Sequence, residues 1–377
     1  MQLQDLPIEL LQHIFSFACT DIGTTGRSLS LVSRHVRDVS AAVKLQSVAL
    51  FGHNQILGFA SLLSQNGGHP AHEMDALLCT TRAWWKEAHS AAYGKDAQRL
   101  DAEERQRLEE RFREQSRLCD EAVRTFCREA ADAISVILRR VAPTLEVLFV
   151  DVDLDVAEQL EQIRSVALPR LVDLTTGGLF LFPRQQHEED QVQPNPGPAL
   201  HAFPSLRHLH VVEEATDSEE CSQHLLFKAD GLAQFAPNLT CLRLSELRWD
   251  SSVVLSAAAS LGIELRHHRS YPPYDPESAV PLPESVQRIV MKPMVRPVPV
   301  ACCDECDEIY IYRDVVNYAR RLVCETERVV LLRLKADEER SEPEVVQLGE
   351  WLEKARGGMW RWDEESVDTT PPKLEDA

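Results

Sequence analysis

Four segments in the middle of the chain share one pattern: a proline, a leucine two residues later, then alternating apolar residues. They are PTLEVLFV (143–150), PRLVDLTT (169–176), PSLRHLHV (204–211) and PNLTCLRL (237–244), and weaker copies are MDALLCT (74–80), SVQRIVM (285–291) and RVVLLRL (328–334). Such short alternation predicts a strand with one buried face. No single unit can bury its own core, so the pattern predicts units stacked in an array.

The prolines of the four clear segments are 26, 35 and 33 residues apart. This is near or above the period of about 20–29 residues that is typical of leucine-rich repeats. The spacing predicts an α/β fold, an irregular leucine-rich-repeat-like solenoid over residues 142–362. We expect its core to contain Leu206, Leu209, Leu239, Leu242 and Leu244. An α/β domain in which the Pro-Leu starts are coincidental is the alternative.

The stretch LQDLPIELLQHIFSF (3–17) predicts a helix with an unusually wide apolar surface. Pro7 suits the first helical position, and Glu9 is favourable in the first turn. Apolar residues cover about half of the cylinder, against the ~100° stripe of an ordinary surface helix. A second helix is predicted by the stripe Leu29, Val32, Val36, Val39 and Val43, with a break near Ser40. So small a helical unit cannot bury both sides of the first helix, which therefore needs a second partner.

Leu6-Pro7-Ile8-Glu9-Leu10-Leu11, Ile14-Phe15 and the segments LSLVSRHVRDVS and KLQSVAL resemble the F-box, the adaptor-binding module of cullin-type ubiquitin ligases. The resemblance covers about residues 3–50 and predicts an F-box domain over residues 1–50; it departs from the family in the DIGTTG loop and at Val36, where a tryptophan is common. It implies docking of a Skp-type adaptor through Leu6, Pro7, Ile8, Leu11, Ile14, Phe15, Leu31, Val32 and Val36. An ordinary amphipathic helix pair is the alternative.

Residues 51–141 are predicted to form a helical insert that also carries an early degenerate strand. No proline or glycine occurs between Asp101 and Val141, which favours one long inserted helix. We expect this helix to pack on the flank of the repeat domain, and a helical dimerisation arm is the alternative. Val345, Leu348, Trp351 and Leu352 predict a C-terminal helix that caps the last core face of the array. Residues 363–377 are acidic and are expected to be disordered.

The chain has 40 Lys plus Arg against 60 Asp plus Glu, a formal charge of −20. This charge argues against nucleic acid as a partner, because a phosphate-backbone binder needs a basic surface. No run approaches the ~18 consecutive apolar residues of a membrane span. The N-terminal stretch also lacks the pattern of a signal peptide. We therefore expect a protein of the cytoplasm and/or nucleus, with reduced cysteines and no membrane partner.

Motifs that carry catalysis or cofactors are missing from the sequence. It contains no HExxH, Walker loop, GxSxG or GxGxxG pattern. Cys303 and Cys306 form a Cys-x-x-Cys pair without a second pair, and the adjacent His267 and His268 would point to opposite faces of a strand. We expect no catalytic residue, metal or cofactor, although a hydrolase with an unrecognised site remains a competing class.

The order of F-box, inserted helices, loose repeats and terminal helix resembles fungal F-box proteins with degenerate leucine-rich repeats. This resemblance implies a non-catalytic substrate-recognition subunit of an SCF-type cullin ubiquitin ligase, which reaches cullin through the adaptor. An adaptor-bound regulatory scaffold outside any ligase is the alternative.

Long insertions follow the predicted strands at 177–203, 212–236 and 245–281, and they carry acidic runs. Binding residues concentrate on such loops, so a basic protein substrate is expected there. The expected contacts are Glu213, Glu214, Glu219, Glu220, Trp249, Tyr271 and Tyr274.

Overall fold

The computed structural model describes residues 6–65, 76–80, 125–151, 166–177, 203–212, 222–228, 231–247, 251–265, 279–294, 307–333, 349 and 351–352. These residues form a mixed α/β fold with several helices and one eight-stranded sheet. Each strand pairs in parallel with the next strand along the chain. Most of the predicted inserted helix, up to residue 124, and the acidic tail lie outside the described residues.

The strands are β1 (Ser47–Phe51), β2 (Ala76–Thr80), β3 (Val147–Asp151), β4 (Asp173–Gly177), β5 (His208–Val212), β6 (Cys241–Leu247), β7 (Arg288–Pro293) and β8 (Val329–Leu331). The helices are α1 (Ile8–Ala18), α2 (Thr24–Val32), α3 (Arg34–Ser40), α4 (His53–Gln65), α5 (125–141), α6 (Leu232–Phe235), α7 (Ser252–Ser260) and α8 (Asp307–Glu325), with a 3₁₀ helix at Ser222–Phe227. In the part of the chain described here, no helix is both long and apolar enough for a membrane span.

All seven strands predicted from the sequence are confirmed, and the sheet contains one more. This eighth strand, β1, pairs with β2, although the sequence assigned its residues to the N-terminal unit of residues 1–50. The predicted boundary therefore cuts through a strand of the sheet.

A proline turn precedes each of the central strands β4, β5 and β6. In each turn the residue before the proline accepts a backbone hydrogen bond from the leucine after it, as in Phe203 to Leu206 and Ala236 to Leu239. Proline favours this position because its fixed φ matches the first central residue of the turn. The residue that follows the proline then reaches the preceding unit: Ser205 Oγ donates to the Pro169 carbonyl at 2.6 Å, and Asn238 Nδ2 donates to the Pro204 carbonyl at 2.9 Å. The repeated Pro-x-Leu pattern thus encodes a stacked turn.

The strands are held in a common register, so equivalent leucines form columns in one core. Leu174 of β4 aligns with Leu209 of β5 and Leu242 of β6, and all three are fully buried. The five leucines predicted as core residues (Leu206, Leu209, Leu239, Leu242 and Leu244) are confirmed, each at 0% exposure. We call the side of the sheet that carries these columns the core face.

Helices cover the core face. Ile134, Ile137 and Val141 of α5 belong to the same apolar cluster as the leucine columns, together with residues of α4, α7 and α8. Residues 125–141 therefore pack against the core face of the sheet.

The first three helices form a separate small unit with its own core. Leu11 and Phe15 of α1 pack with Val36 and Val39 of α3, and this cluster is distinct from the core of the sheet. The predicted break near Ser40 is confirmed, since α3 ends at Ser40, but the stripe is also interrupted at Ser33, so it spans two helices, α2 and α3. Ser33 is extended, and its Oγ caps α3 by accepting a hydrogen bond from the Val36 N–H at 3.1 Å.

The predicted position of the C-terminal helix beyond the last strand is wrong. Trp351 is 1% exposed and packs with Ala49 of β1 and Phe149 of β3, near the opposite end of the sheet from β8. Ala49 and Phe149 alternate with the core residues of their strands, so they lie on the second face of the sheet. The apolar pattern of this C-terminal segment predicted that it would be buried, but a local pattern could not show which face of the sheet the segment covers.

The leucine columns make a testable prediction about stability. Leu242→Ala should lower the free energy of unfolding by about 2–5 kcal/mol, because it leaves a cavity in a fully buried column. Leu62→Ala is the matched control, since Leu62 is 45% exposed, and it should cost much less. Urea unfolding followed by circular dichroism measures both. Equal losses for the two variants would contradict the assignment of Leu242 to the core.

Candidate docking surface and buried polar group

Helix α1 has one buried apolar side and one exposed apolar side. Leu11 and Phe15 face the core of the N-terminal unit, whereas Leu10, Ile14 and Phe17 are 51%, 46% and 71% exposed. The three exposed residues are spaced i, i+4 and i+7, so they share one face of the helix. Only part of the apolar surface of α1 is therefore buried in the protein's own core, and the rest is exposed to solvent.

The end of α2 exposes two more large apolar side chains. Leu31 is 74% exposed and Val32 is 68% exposed. They stand immediately before the extended Ser33, and this segment is held by Arg37 of α3, whose Nε donates to the Ser30 carbonyl at 2.7 Å. We call Leu10, Ile14 and Phe17 of α1, with Leu31 and Val32 of α2, the exposed apolar set.

The structure divides the residues predicted for adaptor docking. Pro7, Ile8, Ile14, Leu31 and Val32 are exposed, and Leu6 is half-buried. Leu11, Phe15 and Val36 are instead buried in the core of the N-terminal unit. They pack beneath the exposed side chains and are not accessible to a partner in this conformation. Leu10 and Phe17 are exposed but were not predicted, although their i, i+7 spacing in the sequence is a signal that could have found them.

Asp21 organises the turn between α1 and α2. Its carboxylate accepts hydrogen bonds from the hydroxyls of Thr24 and Thr25 and from the backbone N–H groups of Gly23 and Thr25. Burial by itself would raise the pKa of Asp21, but these hydrogen bonds outweigh it and hold the pKa below its ordinary value. The charge therefore stabilises the N-terminus of α2 and fixes the helix that presents Leu31 and Val32.

A group of polar side chains is buried on the second face of the sheet, across β4, β5 and β6. We define this buried polar group as Asp173, Thr175, His210, Arg243 and Ser245, each of which is at most 5% exposed. His210 Nε2 lies 2.8 Å from Ser245 Oγ, which also accepts a hydrogen bond from Arg243 Nε at 3.1 Å. At the edge of the group, His208 Nδ1 lies 3.8 Å from Asp173 Oδ2.

Gln223 joins this group to the chain between β5 and β6. Its side chain is fully buried, and its Nε2 donates to the carbonyls of Val211 and Ser245 at 3.2 and 2.9 Å. One amide thus bridges the ends of two neighbouring strands. These two bonds pair the amide N–H groups of Gln223, whereas its Oε1 is buried without a hydrogen-bond partner among the described residues.

The Ser245–His210 contact has the distance of a nucleophile and its base, which bears on the competing hydrolase class. The two residues are only 4% and 2% exposed, so a substrate could not reach the hydroxyl in this conformation. Arg243 also occupies one side of the same oxygen. The arrangement is better suited to holding β5 and β6 together than to attacking a substrate.

The thiol next to this group is also unsuited to nucleophilic chemistry. Burial raises the pKa of Cys241 to about 12, even though Arg288 and Arg243 lower it, and Asp173 raises it further. Burial similarly raises the pKa of the Cys19 thiol, with a smaller contribution from Asp21. Both thiols are therefore protonated near neutral pH, whereas a reactive cysteine requires the thiolate.

The residues predicted for substrate binding, Glu213, Glu214, Glu219, Glu220, Trp249, Tyr271 and Tyr274, lie outside the described residues. The cysteines 302, 303 and 306 and the histidines 267 and 268 do so as well. Within the ranges that the structure covers, no three His, Cys, Asp or Glu residues are grouped as metal ligands would be. No family model, curated protein or solved structure matches the chain.

The Asp21 turn predicts a specific dependence of stability on pH. Because the folded-state pKa is lowered, the charge contributes stability above the unfolded value of about 3.9, and this contribution is lost as the pH falls through the folded pKa. Asp21→Asn should cost about 0.3–1 kcal/mol near neutral pH by removing a charge at the start of α2. Urea titrations over a pH series should show the gap between wild type and variant closing in acid. A gap that does not change with pH would contradict this account.

The cysteine environments predict an order of chemical labelling. Cys324 is exposed on α8 and should react with iodoacetamide well before Cys241, because Cys241 is half-buried and the raised pKa of its thiol keeps it protonated. Mass spectrometry of peptides after timed labelling of the folded protein measures the two rates. In urea the rates should become similar. Faster labelling of Cys241 than of Cys324 in the folded protein would contradict the geometry.

Proposed function

We propose that this chain is a non-catalytic substrate-recognition subunit of an SCF-type cullin ubiquitin ligase, acting in the cytoplasm and/or nucleus. Its N-terminal three-helix unit is the proposed F-box, which docks a Skp-type adaptor. The observation that carries the proposal is the exposed apolar set on a helical unit whose own core is already closed.

The exposed apolar set supports docking on energetic grounds. Leaving large apolar side chains in water forgoes about 1.5–3 kcal/mol for each one that a partner could fully bury. Six such residues, the exposed apolar set and Ile8, lie on helices α1 and α2, within residues 8–32 of a chain with a net charge of −20. Exposed apolar residues concentrated in this way are typical of a protein-interaction surface. The sequence LPIELL at the start of α1 supports the choice of partner through its resemblance to the F-box.

We further propose that the sheet and its helices are a degenerate leucine-rich-repeat solenoid. Three features support this: the strands follow chain order in one parallel sheet, equivalent leucines form columns, and a proline turn precedes the central strands. The unequal lengths of chain between strands fit a degenerate array rather than a regular one. A solenoid presents an extended surface for a protein target.

In this proposal the chain forms and breaks no bonds. The adaptor connects the N-terminal unit to cullin, while the repeat domain holds a protein substrate, which the acidic insertions suggest is basic. The benefit is a high effective concentration of the substrate's lysine near the ubiquitin thioester. The alternative is an adaptor-bound regulatory scaffold that never enters a ligase.

Adaptor docking can be tested with a double variant. Ile14→Asp with Leu31→Asp places two charges in the proposed interface and should reduce co-purification of a Skp-type adaptor by about tenfold or more, because buried unpaired charges are costly. Leu62→Asp is the matched control, an exposed leucine on α4 that is changed in the same way. It should bind like wild type. If the double variant, with native circular dichroism, still recovers the adaptor fully, the docking assignment is wrong.

Entry into a ligase is tested separately from adaptor binding. Purification of the full chain with its adaptor should bring down cullin, and proteasome inhibition should raise the amount of bound substrate. Adaptor recovery without cullin would favour the regulatory scaffold.

A further inference from the structure

A surface cavity of about 390 Å³ lies between α4 and α5. The described residues that line it are Leu63 and Ser64 of α4 with Val136, Arg139 and Arg140 of α5. Val136, Arg139 and Arg140 are spaced i, i+3 and i+4, so they form one stripe of the helix. Leu63 belongs to the core that the leucine columns form, whereas Val136 is 41% exposed. The cavity therefore has an apolar floor and a cationic rim that is in contact with solvent.

The charge at this cavity is opposite to that of the chain as a whole. The chain has a net charge of −20, whereas α4 contains no Asp, Glu, Lys or Arg. In α5, the acidic residues Glu129 and Asp132 lie in the first half of the helix, and Arg139 and Arg140 lie near its end. Among the described residues, the cavity lining contains these two arginines and no acid. A carboxylate is therefore attracted to this cavity, although the overall charge of the chain repels it.

Arg139 has donors to offer to such a ligand. It is exposed, and it makes no hydrogen bond or ion pair with another described residue. Its position near the end of α5 suits the helix dipole, but the dipole does not occupy the N–H groups of the guanidinium. A guanidinium presents a planar fork that matches a carboxylate through two parallel hydrogen bonds. Val136 lies three residues before Arg139, so an apolar side chain beside the carboxylate can pack on Val136 and Leu63.

The exposure of the lining residues favours a peptide segment over a small molecule. Small-molecule sites bury about 70–90% of the ligand surface. Here Val136 and both arginines are exposed, so a small ligand would keep much of its surface in water. A segment that lies across α4 and α5 can instead place an apolar side chain in the cavity and continue beyond it on both sides.

We propose that this cavity binds a short acidic segment of a partner protein. An apolar side chain of that segment covers Leu63 and Val136, and a neighbouring Asp or Glu pairs with Arg139. The charge of the rim selects the acid, and the floor selects the apolar residue. The site shares no residue with the exposed apolar set, and its ligand is opposite in charge to the basic substrate proposed for the acidic insertions. The inference therefore does not depend on the proposed function.

The inference is tested by selecting peptides from a random phage-displayed library against the full-length chain. One class of selected peptides should carry Asp or Glu within a few positions of Leu, Ile or Phe. By fluorescence anisotropy, synthetic peptides of this class should bind Arg139→Glu about tenfold or more weakly than wild type, because an attractive charge becomes a repulsive one. Val136→Asp should weaken binding for the same reason.

Arg128→Glu is the matched control. Arg128 is an exposed arginine of the same helix, about 16 Å from Arg139 along its axis, and it does not line the cavity. This variant has the same net charge as Arg139→Glu but should bind the peptides like wild type. Circular dichroism checks that all three variants retain the native helix content.

Three results would overturn the proposal. The first is a selection that yields no peptide able to distinguish Arg139→Glu from Arg128→Glu. The second is a peptide class that does distinguish them but keeps its affinity when its acids are replaced by Asn and Gln. The third is binding that appears only after residues 363–377 are deleted, since the acidic tail of the chain itself would then be the occupant.

Discussion

The backbone carbonyl just before one central strand accepts hydrogen bonds from two successive N–H groups at the start of the next strand. The Val172 carbonyl accepts from Arg207 and His208, and the Arg207 carbonyl accepts from Thr240 and Cys241. These paired hydrogen bonds fix the register at the start of β5 and β6. Because register fixes which residues face the core, a slip of one residue would turn every leucine column toward the second face. The core, the helices that cover it and the polar group on the other side all depend on this alignment.

The same constraint explains why the lengths of chain between strands can vary so widely. Equivalent residues are 26 positions apart between β3 and β4 but 71 apart between β2 and β3. Only the turn and the strand take part in the alignment, so the intervening chain is free to differ. The Ser245, His210 and Gln223 contacts add side-chain hydrogen bonds between β5 and β6, whose equivalent residues are 33 positions apart.

Much of the sheet could be predicted from local sequence, because the proline turn and the strand that follows it are each determined by a short continuous segment. Features that depend on distant residues could not. The residues of β1 were assigned to the N-terminal helical unit because the segment KLQSVAL formed part of its resemblance to the F-box. In α1, periodicity showed two apolar sides but not which side the valines of α3 would take, so Leu11 and Phe15 were predicted as contacts and Phe17 was missed. The destination of Trp351 is set by the arrangement of the whole chain, and no local pattern encodes it.

The position of Trp351 has a consequence for how the protein comes apart. In a linear stack, each unit is held only by its neighbours, so the outermost units fray first and unfolding spreads inward. Here a residue that follows the last strand is packed against the first and third strands, and Ile22 from before the first strand joins the same cluster. Trp351 therefore links a segment that follows the last strand to the first strands of the sheet. Losing its contacts would uncover the second face at β1 and β3 and also remove a neighbour of Ile22.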